Sequence, residues 1–416
     1  MTSPITFIHM ADLHLDSPFI GLSKLPEPIF HRLQESTFKS LTRIITHAIN
    51  RKVDFVIIAG DIFDGERRSL RAQLRFRAEM ERLQTHNIPA YIIHGNHDHL
   101  GGVWIDIDWP ENVHIFPDKV TCIPFEKDQN PVAHLYGFSY PSKAVHENML
   151  SHYKKVPGPE YHIGLLHGSE EGNTNHSRYA SFSVKELLEA DMDYWALGHI
   201  HVRQQLGQKS IFYPGNIQGL HRKEIGEKGC LHVELSQIET KTTFIPTSEL
   251  IWKSYSINIE NYQSFDEILS ALYTVKEEIR EGEAGVLATL EIVGKSEWNY
   301  DLRQPHVIEE VLLNLQEGEE ERQNFVWVVD CKLHTQPNVS LDSISYESTF
   351  FKTLYDVMEQ PDDDDTIMHV LLRDSTARAF LQPKLEEEWA YIQDEAKQLL
   401  LSELTQMLIK EGGGKA

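Results

Sequence analysis

The sequence contains few cysteines, and they are not arranged in pairs. Cys122, Cys230 and Cys331 are the three cysteines of a 416-residue chain, and no Cys-x-x-Cys pair occurs. This spacing argues against a disulfide framework and against a thiolate zinc site, and it suits a reducing compartment.

The sequence also lacks a long apolar segment. No stretch approaches the roughly 18 residues that cross a bilayer, and residues 1–4 lead into a predicted strand instead of a signal peptide. We therefore expect a cytoplasmic protein without a membrane partner. A Gly-x-x-x-x-Gly-Lys-Ser/Thr phosphate loop is missing too, so any ATP-driven step must come from another polypeptide.

Positive charge is scarce in the second part of the chain. Residues 251–416 contain 14 Lys and Arg against 33 Asp and Glu, which accounts for −19 of the total net charge of −24. Histidine is skewed the other way, with 19 of 22 in residues 1–250. Chemistry is therefore expected in the first part, and the acidic second part is a poor surface for polyphosphate.

Short apolar segments in the first part each end in polar residues. Predicted strands at 6–10, 55–59, 88–93, 161–166 and 194–197 alternate in part with predicted helices, which favours a β-α-β arrangement. In open α/β sheets, ligands bind at the carboxyl ends of the strands. The motifs at these ends are Asp12-x-His14, Gly60-Asp61-x-x-Asp64, Gly95-Asn96-His97-Asp98, His167-Gly168 and Gly198-His199-x-His201.

The donors in these motifs suit a two-metal site. Asp12 and His14 are two residues apart in a segment predicted to be extended, so both side chains should leave on one side, and His199 and His201 repeat this device. A bridging Asp61 would hold two cations at roughly the 3.5 to 4 Å used by dinuclear phosphoesterases. Nitrogen and oxygen donors without thiolates favour manganese, iron or zinc over calcium, and we expect two divalent ions, with Mn²⁺ first among them.

In this order, the five motifs resemble the calcineurin-like metallophosphoesterase superfamily. Residues 11–18 and the Tyr213-Pro214-Gly215-Asn216 segment are similar to the SbcD-type DNA repair exonucleases and, more narrowly, to the YhaO proteins of bacilli. The resemblance implies that one ion is held by Asp12, His14, Asp61 and His201. It implies that the other is held by Asp61, Asn96, His167 and His199.

The resemblance also implies that His97 is the catalytic histidine. An imidazolium there would stabilise the phosphorane and protonate the leaving oxygen, and Asp98 would orient it. The alternative is that Asp98 only caps the following turn. Some relatives carry a histidine where this chain has Asp64, so the strand-positioning role of that histidine stays open here.

The expected fold class is α/β. It consists of a metallophosphoesterase β-sandwich flanked by helices, a small α/β capping domain and a helical C-terminal region. The expected boundaries are 1–248 for the phosphoesterase (nuclease) domain, 249–336 for the capping domain and 337–416 for a partner-binding region.

Two further features suggest binding surfaces. Arg67, Arg71 and Arg75 recur every four residues, so one helix face could contact a nucleic acid backbone; an ordinary solvated face is the alternative. An apolar stripe on a predicted helix at 384–410 could dock on a partner or pack within its own domain. The SbcD resemblance favours docking on an SbcC-like coiled-coil ATPase, and it implies a homodimer.

The expected function is therefore a metal-dependent DNA exonuclease, with endonuclease activity as well, that acts in DNA repair. One alternative is a phosphodiesterase or phosphatase for a small molecule or a phosphoprotein. Another is a non-catalytic scaffold subunit that keeps its metals for structure.

Overall fold

The computed structural model describes residues 4–338 except 20, 23–24, 66–67, 104, 128, 171–179 and 281, together with isolated positions from 353 to 403. It divides into two compact units. The first comprises residues 1–253, 280–287 and 318–325, and the second comprises 254–279, 288–317 and the described residues from 326 onward. The three-domain division at residues 248 and 336 stays a prediction, and the helical C-terminal region lies outside the described residues apart from those isolated positions.

The first unit contains twelve named strands among its described residues. They are β1 (Ile5–Met10), β2 (Phe55–Ala59), β3 (Ala90–Ile93), β4 (Val113–Ile115), β5 (Thr121–Lys127), β6 (Asn130–Gly137), β7 (Tyr161–His167), β8 (Tyr194–Gly198), β9 (Gln204–Gln205), β10 (Ile211–Tyr213), β11 (Gly229–Leu235) and β12 (Thr240–Pro246). The helices are α1 (Glu27–Arg51), α2 (Leu70–Gln84) and α3 (Val184–Glu189), and a 3-10 turn covers Met149–His152.

These strands form two six-stranded sheets. Their orders are β12-β11-β1-β2-β3-β4 and β5-β6-β7-β8-β10-β9. The pairs from β1 to β4 are parallel, as are those joining β6, β7, β8 and β10. Parallel pairing places the carboxyl ends of β1, β2 and β3 at one edge of the first sheet and those of β7 and β8 at one edge of the second.

The hydrophobic core lies in three layers. Phe7, Phe55 and Ile57 of the first sheet share one buried cluster with Leu165 and Tyr194 of the second, so this cluster fills the space between the sheets. A second cluster joins the other face of the first sheet to α1 and α2, and a third covers the other face of the second sheet together with α3. The predicted β-sandwich flanked by helices is confirmed.

Helix α1 begins at Glu27, directly after Pro26. Proline is tolerated in a first helical turn because its missing N–H would have no partner there, so Pro28 does not delay the start. Helix α2 begins after Ser69, whose hydroxyl accepts from Ala72 N at 3.0 Å.

The second unit contains most of the remaining strands and helices. Strands β13 (Leu250–Asn258), β14 (Gly285–Ser296) and β15 (Val326–Pro337) form a three-stranded sheet in the order β13-β14-β15. Its helices are α4 (Phe265–Glu278), α5 (Asn299–Leu302) and α6 (Pro305–Gln316). None of the described helices combines the length and apolar character needed to cross a bilayer.

Candidate metal centre

The polar residues that follow the parallel strands meet in three groups of potential metal ligands. Within each group the offered ligand atoms lie within 4.8 Å of one another. The first group is Asp12, His14 and His201, and the second is Asp61, His167 and His199. The third group shares His14 with the first and adds Asp64 and His97. Asn96 joins the second group, because its Oδ1 lies 3.1 Å from both His167 Nε2 and His199 Nδ1.

The backbone at these positions is left-handed. Asp12, His14, Asp61 and His199 have φ angles of 52°, 41°, 51° and 96°. Such values are uncommon outside glycine and cost about 1–3 kcal/mol each. The expectation that Asp12 and His14 converge because their segment is extended was therefore wrong. They converge because Asp12 N and His14 N donate to the carbonyls of Gly60 and Asp61, both at 3.1 Å, which fixes the two loops side by side.

The first group has an imidazole pair that fits a metal ion. Nε2 of His14 lies 3.1 Å from Nε2 of His201, and both side chains are largely buried. Two unprotonated imidazole nitrogens aimed at each other repel through their lone pairs unless a cation or a proton lies between them. The Asp12 carboxylate accepts from His199 N at 3.0 and 3.1 Å, which fixes it beside this pair.

The second group is oriented by the protein backbone. Nδ1 of His167 donates to the carbonyl of Ala59 at 2.9 Å, which leaves Nε2 facing Asp61 Oδ2 at 3.3 Å. The same oxygen of Asp61 lies 4.0 Å from Nε2 of His14 in the first group. Asp61 is thus placed to contact an ion in either group, as the prediction of a bridging carboxylate requires.

Two motif glycines make room for these ligands. A Cβ atom on Gly60 would lie 2.2 Å from His167 Nδ1, and one on Gly95 would lie 2.3 Å from Asp61 Oδ1. Neither distance is compatible with a side chain. The glycines before Asp61 and Asn96 therefore serve the close approach of the ligand side chains.

The electrostatics of the cluster favour added positive charge. Burial raises the pKa of Asp12. Burial would also raise that of Asp61, but the neighbouring His167 outweighs it and lowers the pKa. Burial alone would lower the pKa of His167, yet Asp61 and Asp12 raise it to about 9. Buried carboxylates that draw a proton onto a buried imidazole form a set that suits divalent cations.

The carboxylate beside His97 differs from the one predicted. Oδ1 of Asp64 lies 3.2 Å from His97 Nδ1 and 3.4 Å from His14 Nδ1. Asp98 was expected to orient His97, but its carboxylate accepts from Ile62 N at 2.9 Å and Gly95 N at 2.8 Å and contacts His94 Nδ1. Asp98 therefore braces the loops that carry the ligands, and Asp64 occupies the orienting position. The hydrogen bond to Asp64 raises the pKa of His97, whose side chain is 43% exposed.

Sequence reasoning did not identify Glu224. Its Oε1 lies 2.5 Å from Nδ1 of His201. Burial would raise the pKa of Glu224, but the hydrogen bond from His201 lowers it to about 2. Glu224 lies in a loop between β10 and β11 that also contains Glu227, so no periodic signal marked it.

The proposed arginine face is partly occupied by ion pairs. Arg67 lies outside the described residues. Arg71 pairs with Asp16 and Glu35, and Arg75 Nη1 lies 2.5 Å from Glu35. Both guanidinium groups also stack over the Phe38 ring. A phosphate would have to compete with Glu35 for them.

Comparisons with known proteins agree with this geometry. Residues 5–203 match the model of the calcineurin-like phosphoesterase family. An uncharacterized metallophosphoesterase, YhaO, from Bacillus subtilis is 37% identical over 97% of this chain and 99% of its own length. A DNA double-strand break repair protein Mre11 from Sulfolobus acidocaldarius is 24% identical over 67% of this chain and 73% of its own.

A solved structure of a dimetal phosphatase from Danio rerio aligns with 59% of this chain and all of its own, at 12% identity and a TM-score of 0.34, which is too low to support an argument. The predicted family and the likeness to YhaO are confirmed by the sequence comparisons. The buried ligand groups and the match over nearly the full length of a metallophosphoesterase lead to one conclusion: the chain belongs to the calcineurin-like metallophosphoesterase family and is a metal-dependent phosphoesterase.

Proposed function

We propose that this phosphoesterase is a dinuclear-metal-dependent DNA exonuclease, with endonuclease activity as well, that hydrolyses phosphodiester bonds in DNA repair. The observation that carries the hydrolytic part is the position of Asp61 beside a partly exposed His97. Its Oδ2 lies 3.3 Å from His167 Nε2 in the second ligand group and 4.0 Å from His14 Nε2 in the first. The choice of DNA is supported by the relatives named as DNA double-strand break repair proteins.

The residues that would hold the ions are those predicted from the sequence. Asp12, His14, Asp61 and His201 would hold one ion. Asp61, Asn96, His167 and His199 would hold the other. When bound, two divalent cations lower the pKa of water and offset the charge that develops on a phosphoryl group. The mixed nitrogen and oxygen donors favour Mn²⁺ for this role.

The protein supplies the acid at the leaving group. His97 donates its Nδ1–H to Asp64, which leaves Nε2 for the substrate. Because Asp64 favours the protonated ring, His97 is able to give a proton to the departing oxygen. Its exposed face allows a phosphodiester to approach from solvent, while Asp12, His14, Asp61, Asn96 and His167 behind it are buried.

An ATPase partner follows from the same resemblance. We propose that an SbcC-like coiled-coil ATPase binds the C-terminal region and supplies the basic DNA surface that this acidic chain lacks, and that the nuclease works as a homodimer. The net charge of −24 supports this division of labour, because phosphate contacts account for most nonspecific affinity for DNA.

The test is release of nucleotides from end-labelled single- and double-stranded DNA with added Mn²⁺, with the H97A variant as the control. Degradation by the wild type but not by the variant supports the proposal, and the end that is lost first gives the polarity. Cleavage of a small chromogenic phosphodiester without DNA degradation, even when the ATPase is added, would favour a small-molecule phosphodiesterase. No cleavage of either substrate would favour a scaffold.

A further inference from the structure

The loop between β10 and β11 contacts His201, a proposed ligand of the candidate metal centre, at the ring nitrogen that does not face His14. Its Glu224 is 9% exposed, and its Oε1 lies 2.5 Å from Nδ1 of His201. A carboxylate at this nitrogen accepts the Nδ1–H, so the tautomer carries its lone pair on Nε2. Nε2 is the atom that faces His14 Nε2 at 3.1 Å, within the first ligand group.

The second oxygen of Glu224 fixes the carboxylate itself. Oε2 accepts from Asn216 Nδ2 at 2.9 Å and from Leu220 N at 2.6 Å. The carboxylate therefore cannot turn away from His201 without breaking these two hydrogen bonds.

The loop is anchored on both sides of Glu224. Gly226 N donates to the carbonyl of Trp252 at 2.9 Å, and Trp252 Nε1 donates to that of Gly219 at 3.2 Å. Lys228 then donates from Nζ to the carbonyl of His201 at 2.9 Å, so the backbone of the ligand is held as well as its ring.

His167, a proposed ligand of the second group, is oriented differently. His167 donates to a backbone carbonyl, that of Ala59, whereas His201 donates to a charged carboxylate. A carboxylate raises the basicity of the imidazole more than a neutral carbonyl does. The first ligand group should therefore depend on Glu224, and the second group should not.

We infer that Glu224 is a positioning residue that fixes the tautomer and ring orientation of His201, and that one of the two metal ions depends on it. This inference rests on the proposed metal ligation by His201.

The isosteric variant E224Q gives the sharpest test. An amide has one oxygen. Asn216 Nδ2 and Leu220 N, at 2.9 and 2.6 Å from Oε2, compete for it against His201 Nδ1 and the more distant His221 Nε2, which lies 3.4 Å from Oε1. With the oxygen turned to Asn216 and Leu220, the amide NH₂ faces His201 Nδ1 and favours the tautomer with a proton on Nε2. That proton blocks the position where the ion would bind.

The experiment removes metal from the full-length protein with a chelator and titrates Mn²⁺ by calorimetry, with metal analysis after desalting. The wild type should bind two ions per chain. E224Q and E224A should bind one ion with nearly wild-type affinity and the other about 10- to 100-fold more weakly. The control is E249Q, which removes another buried carboxylate, one that pairs with Arg32, Lys39 and Arg43 instead of a proposed ligand.

The outcomes separate this inference from the proposed function. If the wild type binds two ions and E224Q binds both as tightly, Glu224 only stabilises the fold and the inference is wrong. If E249Q loses an ion to the same extent as E224Q, the effect is general and the inference is again wrong. If the wild type binds no Mn²⁺, the proposed metal centre fails first and the inference fails with it.

Discussion

The candidate metal centre and the Glu249 cluster both bury carboxylates, but they neutralise them differently. Glu249 receives three cationic side chains from α1, with Arg32 Nε at 2.5 Å, Lys39 Nζ at 3.0 Å and Arg43 in direct contact. At the metal centre, the neighbours of Asp12 and Asp61 are mainly histidines and backbone amides.

This difference distinguishes a structural ion pair from a site that needs a ligand. The Glu249 cluster contains its own permanent cations, so its charge is balanced without an added ion. At the metal centre, Asp12 and Asp61 face imidazoles, which titrate. The two carboxylates raise the pKa of His167 to about 9, so a proton balances part of their charge and a bound cation would displace it. Asp12, His14, Asp61 and His199 also adopt left-handed backbone angles. Charge balanced by an exchangeable proton, together with backbone strain, is typical of a binding site and not of a structural ion pair.

The largest effect should come from exchanging the carboxylates of the two regions for amides. We expect D61N to reduce phosphodiester hydrolysis roughly 1000-fold, because the bridging oxygen loses its charge. E249Q should leave the rate within about 3-fold, because a change at one site usually has little effect on a separate site that shares no partners with it. Initial rates on a chromogenic phosphodiester with Mn²⁺ measure both. A D61N variant that keeps a tenth of the wild-type rate would contradict the distinction between the metal centre and the Glu249 cluster.

His97 and its carboxylate should show the next largest effect. H97A should lower kcat about 100-fold while the ions stay bound. D64N should lower kcat by a smaller factor, about 10-fold, because the ring remains but loses its orienting charge. Single-turnover rates together with metal analysis separate these effects from loss of the ions. Equal rates for the wild type and D64N would mean that Asp64 does not orient His97.

Acid should reduce the stabilisation that the Glu249 cluster contributes to the fold. Burial would raise the pKa of Glu249, but the hydrogen bonds from Arg32 and Lys39 outweigh it and hold the pKa below its ordinary value of 4.5. Its contribution is therefore full above pH 4.5 and is lost as the pH falls through the folded-state value.

E249Q should accordingly reduce the free energy of unfolding by about 1–3 kcal/mol near neutral pH. The difference from the wild type should shrink on acidification below pH 4.5. Urea unfolding at several pH values measures this difference. A difference that grows as the pH falls would contradict the sign of the argument.

The smallest effect should come from the arginine face. Because Arg75 pairs with Glu35, R75A should weaken DNA binding by less than about 3-fold. E35Q should strengthen binding, since it removes the charge that pairs with Arg75 and one of the two carboxylates that pair with Arg71. Fluorescence anisotropy at fixed salt tests both variants. A loss of DNA affinity of more than about 10-fold in R75A would support the predicted contact between Arg75 and a nucleic acid backbone.

Local sequence patterns predicted the elements that carry the site. Strands β2, β7 and β8 begin at Phe55, Tyr161 and Tyr194, where the sequence has apolar runs that end in polar motifs. These runs are a clear local signal because strands of a parallel sheet are buried on both faces. The sequence alone was therefore enough to place the proposed ligand residues that follow β1, β2, β7 and β8 at the carboxyl ends of their strands.

The remaining features depend on contacts that no local pattern encodes. Glu35 and Arg75 are separated by 40 residues, and Glu224 and His201 by 23. Asp64 lies beside His97 because two loops meet, so proximity in sequence wrongly favoured Asp98 as its partner. Tertiary packing decides these pairings.

The most direct test of the metal centre is an anomalous difference map from a crystal grown with Mn²⁺. We predict two peaks roughly 3.5 to 4 Å apart, with an Asp61 oxygen between them, one peak beside Asp12, His14 and His201 and the other beside Asn96, His167 and His199. The absence of peaks at this sheet edge, or peaks only elsewhere on the chain, would contradict the account.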